Sequence, residues 1–156
     1  MATGNLGSIS DATEIDILKF FTGQSLTGTI LAGVTTTTAY LGLLTGTVST
    51  DANTATPTET TYTNYLRVAL STSQFGAPSA GSVTNSAGAI TFPACGATGA
   101  TISGWAIFIG GTTSSGSGGK IAMWGNLSDG SGAVTKTLGN GDTFSFATST
   151  FTLSLD

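Results

Sequence analysis

The chain has 156 residues, 39% of them hydrophobic and only 8% charged, with a net charge of −4 and a sequence pI of about 4.3. That length suits one domain with a sizeable core, while four cations cannot build a phosphate-neutralising stripe, so neither nucleic-acid binding nor attachment to a membrane surface is expected. With no histidine and a single cysteine, Cys95, the usual zinc sites, an internal disulfide and histidine-dependent nucleophilic catalysis are excluded.

Ser and Thr together make up roughly a third of the chain and take over the solvating role of the missing charges. Threonine's branched Cβ fits a pleated surface, and 23 glycines supply turns. The expectation is an all-β fold: a single antiparallel β-sandwich or jelly-roll-like domain preceded by a short helix or arm. Residues 1–23 form the arm and helix in this reading, and 24–156 the sandwich.

Residues 1–10 are rich in Gly, Ser and Asn and read as a lead-in with neither the basic nor the apolar region of a secretory signal. "DATEIDILKFFTG" reads as a helix with Asp11 as cap, Glu14 at the capping-box spacing and Gly23 as the stop. It is too short to stand alone and must dock on its own domain or on a partner. "AYLGLL" reads as a strand with Leu41 and Leu43 inward, and "TILAGV" as a further strand or an extended connection. Residues 47–63 read as a polar, projecting surface loop. "NYLRVALS" alternates, which predicts Leu66, Val68 and Leu70 on one face and Tyr65, Arg67 and Ala69 on the other, with Arg67 solvated.

"SVTNSAGAITFPAC" carries a turn at Asn85–Gly88 and a strand through Ile90 and Phe92 that Pro93 ends. "ATISGWAIFIGG" is the most apolar stretch, with Trp105, Ile107 and Ile109 on one face and Ala106 and Phe108 on the other. It reads as a central strand covered on both faces, with "KIAMWGNLS" as its antiparallel neighbour. "GNGD" is a turn, and Phe144 and Phe146, then Phe151, Leu153 and Leu155, alternate to the end. Seven or eight short strands result.

Candidate chemistry is sparse. "GGTTSSGSGGK" resembles a phosphate-binding loop, but Ser114 stands where the first glycine belongs and Ile121 where the metal-binding hydroxyl belongs. A strand pattern follows the lysine instead of a helix, so the segment reads as a flexible hairpin tip. Cys95 reads as a small buried hydrophobe. The eight carboxylates fall in the helix, loops, turns and terminus without a convergent pair, and Asp129 and Asp142 fit turn chemistry better than calcium loops. No catalytic, metal-binding or cofactor-binding residue emerges, and no enzyme is expected. Trp105, Trp124, Tyr62, Tyr65 and Tyr40 read as core or interface residues, with a sugar-binding face as the minor alternative.

From about Leu41 onward the chain resembles a family of small tailed-phage virion proteins. The likeness runs through "AYLGLLTG", "NYLRVALS", "SVTNSAGAITFPA", "GWAIFIGG" with "GGKIAMWGNL", and "KTLGNGDTFSFATSTFTLSLD". Asn85 followed by Ile90, Phe92 and Pro93, and the closing segment, are its most specific parts. Members carry a Gly-Gly-Thr-Glu-like turn before a Tyr-x-Arg strand, of which this chain keeps Glu59 and Tyr65-Leu66-Arg67. The resemblance implies a structural virion protein: first a cement or decoration protein on the outer capsid surface, alternatively a tail-fibre or tail-tip component contacting host glycans. The implied partner is the major capsid protein of an HK97-like shell, with the chain itself a homo-oligomer, a dimer or trimer. The expected contact residues are Ile9, Ile15, Leu18, Phe20 and Phe21, together with the 47–63 loop, because their apolar excess lies outside the strand pattern.

Overall fold

A computed structural model describes residues 11–26, 38–46, 58–116 and 118–155. The fold is all-β and antiparallel with one short helix at its N-terminal end. Helix α1 spans Asp11–Phe21. It stops where Gly23 takes a left-handed φ of 68°, which lets the Gln24 amide reach the Lys19 carbonyl at 2.9 Å and the Gly23 amide that of Phe20. The described residues otherwise form eleven short strands, more than the seven or eight expected, because turns break several of them down to two or three residues.

The largest sheet has five strands. β1 (Ala39–Thr45) lies between β7 (Gly104–Ile109) on one side and both β2 (Thr58–Glu59) and β3 (Val68–Ala69) on the other; β8 (Lys120–Asn126) pairs with the far edge of β7. The expected antiparallel pairing of "GWAIFI" with "KIAMWGN" is present, with a register shift between Ile107 and Phe108. Both faces of β7 are covered, as its unbroken apolar run requires. Ile107 faces the main core with Leu41 and Leu43, whereas Ala106 and Phe108 join Leu44 in a smaller cluster on the opposite face.

Three two-stranded ladders complete the molecule: β4 (Ser82–Thr84) with β11 (Thr152–Ser154), β5 (Ile90–Thr91) with β10 (Ser145–Phe146), and β6 (Ala100–Ile102) with β9 (Lys136–Leu138). Each brings the C-terminal third of the chain back onto its middle. Each also carries a directly opposed hydroxyl pair on its exposed side: Thr84–Thr152 at 2.9 Å, Thr91–Ser145 at 3.0 Å and Thr101–Thr137 at 3.3 Å. Such cross-strand pairs stabilise a ladder without charge, which is one structural use of the Ser/Thr-rich composition. Inward-facing Val83, Ile90, Ile102, Leu138 and Leu153 meet the inner face of the five-stranded sheet in one core.

Aromatic rings run through that core in an unbroken series. Tyr62 meets Tyr65 (5.2 Å between centroids), Tyr65 stacks on Phe92 (6.4 Å), and Phe92 meets Phe144 (6.0 Å). Phe144, Phe146, Phe151 and Trp105 continue it at 4.8–5.1 Å, mostly edge to face. Fully buried Asn85 fastens the turn that follows β4. Its Oδ1 accepts the Phe151 amide at 2.8 Å, and its Nδ2 donates to the Ala147 and Gly88 carbonyls at 2.8 and 3.0 Å. A polar side chain is tolerated there because its hydrogen-bonding groups are satisfied.

Two expectations change. The stretch Tyr65–Leu70 does not alternate as read: Leu66 is 42% exposed, while Tyr65 and Arg67 are buried. Only Val68–Ala69 forms strand, because a turn closes from the Tyr65 amide to the Tyr62 carbonyl at 2.9 Å, with Asn64 at a φ of 74°, and resets the phase just upstream. The end of the 47–63 segment is no projecting loop: Thr58–Glu59 pair with β1, and Thr60 and Tyr62 are buried. Residues 1–10, "TILAGV" and residues 47–57 lie outside the described residues.

Candidate functional site

A dense polar network lies under the glycine-rich hairpin between β7 and β8. Arg67, from just before β3, and Glu59, from β2, form a two-pronged ion pair, Nε to Oε1 and Nη2 to Oε2, both at 2.8 Å. Both side chains are withdrawn from solvent, at 2% and 10% exposure. The guanidinium lies 3.7 Å from the centre of the Phe108 ring, so its flat face is covered by a π system while its edge is hydrogen bonded. Tyr65 donates its hydroxyl to Glu59 Oε1 at 2.9 Å and accepts the Leu43 amide at 2.9 Å. Gly42 in β1 is required here. A Cβ at that position would stand 2.7 Å from the Phe108 ring and 3.1 Å from Glu59 Oε1.

This network holds the loop of "GGTTSSGSGGK". Arg67 donates through its backbone amide to Thr113 O at 2.7 Å and through Nη1 to Gly118 O at 2.9 Å. In return the Gly116 amide reaches Glu59 Oε2 at 3.3 Å, and the Ser115 hydroxyl reaches Thr60 O at 3.2 Å. The flexible-tip expectation is therefore corrected: the segment is a hairpin, but it is tied to the sheet. Its glycines serve close approach and left-handed backbone. Gly111 and Gly119 have φ of 78° and 86°, and a Cβ on Gly119 would meet the Gly110 carbonyl oxygen at 2.6 Å. Arg67, expected to be solvated, is the centre of the arrangement. Its ion-pair partner could have been sought at Glu59, the acidic residue nearest in sequence.

Burial also acts on the tyrosines. It raises the Tyr62 phenol from 10.0 to about 12, with the nearby Cys95 adding to the effect, while the hydroxyl donates to Pro93 O at 2.9 Å. Tyr65 is raised further, by burial first and then by the negative charge of Glu59. A raised phenol keeps its proton in the folded state after the unfolded chain has released it. The stabilisation is whole below about pH 10 and declines as pH rises from there through about 12. Melting temperatures measured from pH 9 upward are expected to fall steeply in this window, and Tyr62→Phe is expected to flatten the slope. An unchanged slope would separate Tyr62 from alkaline unfolding.

The expected contact residues divide. Leu18 and Phe21 are spent on the chain's own core, which removes them as a free surface; Ile15 and Phe20 are half-buried, and Ile9 lies outside the described residues. Asp129 and Asp142 cap turns, accepting the Ser131 amide at 2.9 Å and the Gly139 amide at 2.8 Å. Cys95 is buried and free, its thiol 3.4 Å from the Gly96 carbonyl. Among the described residues no group of three or more Cys, Asp or Glu side chains converges as a metal site would require, and no helix is long and apolar enough to cross a membrane.

Among the described residues, aromatic side chains reach the surface on a sheet face and in a groove. The outer face of the five-stranded sheet presents half-buried Tyr40, Ile121 and Trp124 around Phe108. At the other end of the aromatic series, a groove of about 640 Å³ opens beside Trp105 and Phe146, with Lys136 on its wall. It meets a second groove, of about 690 Å³, at Asn126 and Val134. Of the five residues weighed for a sugar-binding face, Trp105, Trp124, Tyr62, Tyr65 and Tyr40, only Trp105 lines the first groove.

The family model described as Gp80, podophage GP4 fiber I protein gp80, matches residues 8–154 of the chain. No curated protein matches it.

Proposed function

The chain belongs to the podophage GP4 fiber I protein gp80 family, a family of tailed-phage virion proteins, and on that premise we propose that it is a structural subunit of a tail fibre. The observation that carries this reading is the extent of the match, which takes in the helix and every strand of the fold. The physical character of the domain supports it. Short ladders joined by hydroxyl pairs, a buried ion pair under the largest hairpin and a core-anchored helix give a stiff module of low charge, suited to repeated protein contacts. In this role the chain works by burying surface against neighbouring virion subunits as a homo-oligomer, without a catalytic step and without nucleic acid or membrane. The outer sheet face around Tyr40 and Trp124 is the contact surface of choice, since aromatic residues are enriched at interface cores.

A second reading, a cement protein on the outer surface of the capsid, draws on the same aromatic face and on the resemblance to decoration proteins. There the partner is the major capsid protein of an HK97-like shell, and modest contacts sum over the lattice by avidity. Copy number separates the two. Quantitative mass spectrometry of purified particles is expected to give far fewer copies of this chain than of the major capsid protein. A ratio near the lattice stoichiometry would move the chain to the capsid.

A further inference from the structure

The geometry points to a saccharide-binding groove beside Trp105, selective for oligosaccharides that carry a carboxylate. The inference deepens the fibre reading, yet it concerns the isolated chain and does not depend on where on the particle the chain sits.

The lining chemistry sets the ligand class. A cleft of roughly 300–1,000 Å³ with aromatic walls and a few placed polar groups is the usual form of a small-ligand site, and this one, at about 640 Å³, falls within that range. Trp105 and Phe146 are half-buried, each with part of its ring surface left to solvent. They are held in place from behind by Phe151, at 4.9 and 4.8 Å between centroids. The indole can lie across β8 because residue 125 is glycine, where a Cβ would come within 2.8 Å of the ring. Rigid aromatic surfaces of this kind suit the C–H faces of pyranose rings. Around them the wall is made of hydroxyls and an amide, including Ser128, Thr143, Thr150 and Asn126, which exchange hydrogen bonds with sugar hydroxyls. Asn126 also borders the adjoining groove, whose lining includes Thr101, Ser103 and Thr135, so the track is long enough for more than one sugar ring.

Charge then narrows the class. No carboxylate lines either groove, and the one charged side chain is Lys136. Lys136 is exposed and has no ion-pair partner among the described residues, in a chain of net charge −4. A lone uncompensated ammonium beside stacked rings complements a sugar carboxylate such as that of a uronic acid, and one cation is too few to hold a polyphosphate backbone.

The test is a titration of the full-length protein, followed by amide and indole resonances. The probes are trigalacturonate and an alginate trisaccharide, with maltotriose as the neutral control; Trp124→Phe identifies the Trp105 indole. The expected result is saturable shifts at the Trp105 indole and along 134–146 with an acidic probe, and at least tenfold weaker binding of maltotriose. Lys136→Gln, an exposed change that leaves the core alone, is expected to weaken the acidic probe at least tenfold and leave maltotriose unchanged. The absence of saturable shifts with both acidic probes, shifts confined to another surface, or indifference to Lys136→Gln would each overturn the proposal. None of these outcomes bears on copy number in the particle, so the fibre reading is judged separately.

Discussion

Arg67→Ala is expected to lower the unfolding free energy by about 3–5 kcal/mol, the range for removing one partner of a buried ion pair. For a chain of this size that corresponds to a fall in melting temperature of roughly 6–20 °C. The substitution takes the ion-pair partner from Glu59, a side chain only 10% exposed in the intact fold, and uncovers the Gly118 carbonyl and one face of Phe108 as well. The pair itself is a different matter. Burying two charges carries a desolvation penalty close to the attraction gained, so Arg67→Met with Glu59→Leu is expected to recover most of the loss. The hairpin should register the difference. In Arg67→Ala the 112–116 amides are expected to exchange faster than in the wild type, because the Nη1 bonds to the Thr112 and Gly118 carbonyls go with the side chain, while the backbone bond to Thr113 O stays. Arg67→Lys is expected to rescue poorly, since an ammonium cannot supply two parallel bonds to a carboxylate while stacking on a ring. Denaturant melts of these four proteins settle the point, and a loss below about 1 kcal/mol for Arg67→Ala would show that the network is incidental to stability.

Removing residues 1–22 is expected to unfold the domain, because of the two dockings open to the helix in the sequence, on its own domain or on a partner, the fold uses the first. Leu18 is fully buried and Phe21 nearly so, both in the core formed by the sheets. Thr22 is also fully buried, with its hydroxyl on Leu18 O at 2.8 Å, and the Gln24 amide group reaches Gly76 O at 2.9 Å. Leu18→Ala alone is expected to cost about 2–5 kcal/mol and Phe21→Ala about 3–5 kcal/mol. Either is a large share of a typical domain's 5–15 kcal/mol. Thermal unfolding of the truncated chain should therefore show no cooperative transition. A truncated chain that melts cooperatively near the wild-type temperature would make the helix a docking element, with its contacts available to a partner.

Much of the fold was legible because it rests on period-two apolar patterning. Trp105, Ile107 and Ile109 against Ala106 and Phe108, Leu41 with Leu43, and Phe151 with Leu153 all sit as their alternation implies. Gly23 and the "GNGD" turn were legible for a local reason, since left-handed backbone favours glycine at Gly23 and Gly141. Asn85 was singled out as part of a motif, but nothing local shows that it would be fully buried, because its partners at Ala147 and Phe151 are more than 60 residues away.

By itself, the sequence determined the fold class, the central β7–β8 pairing, the failure of the phosphate-loop motif and the kinship with tailed-phage virion proteins. These follow from composition, from alternation along a strand and from motif spacing, all of which are properties of neighbouring residues. Only the tertiary structure decided the fate of Arg67, the anchoring of "GGTTSSGSGGK", the commitment of Leu18 and Phe21 to the core, and the groove beside Trp105. Each depends on which distant surfaces meet. An arginine is solvated or buried according to whether a carboxylate and a ring close over it, and a glycine-rich loop is loose or held according to what lies beneath it.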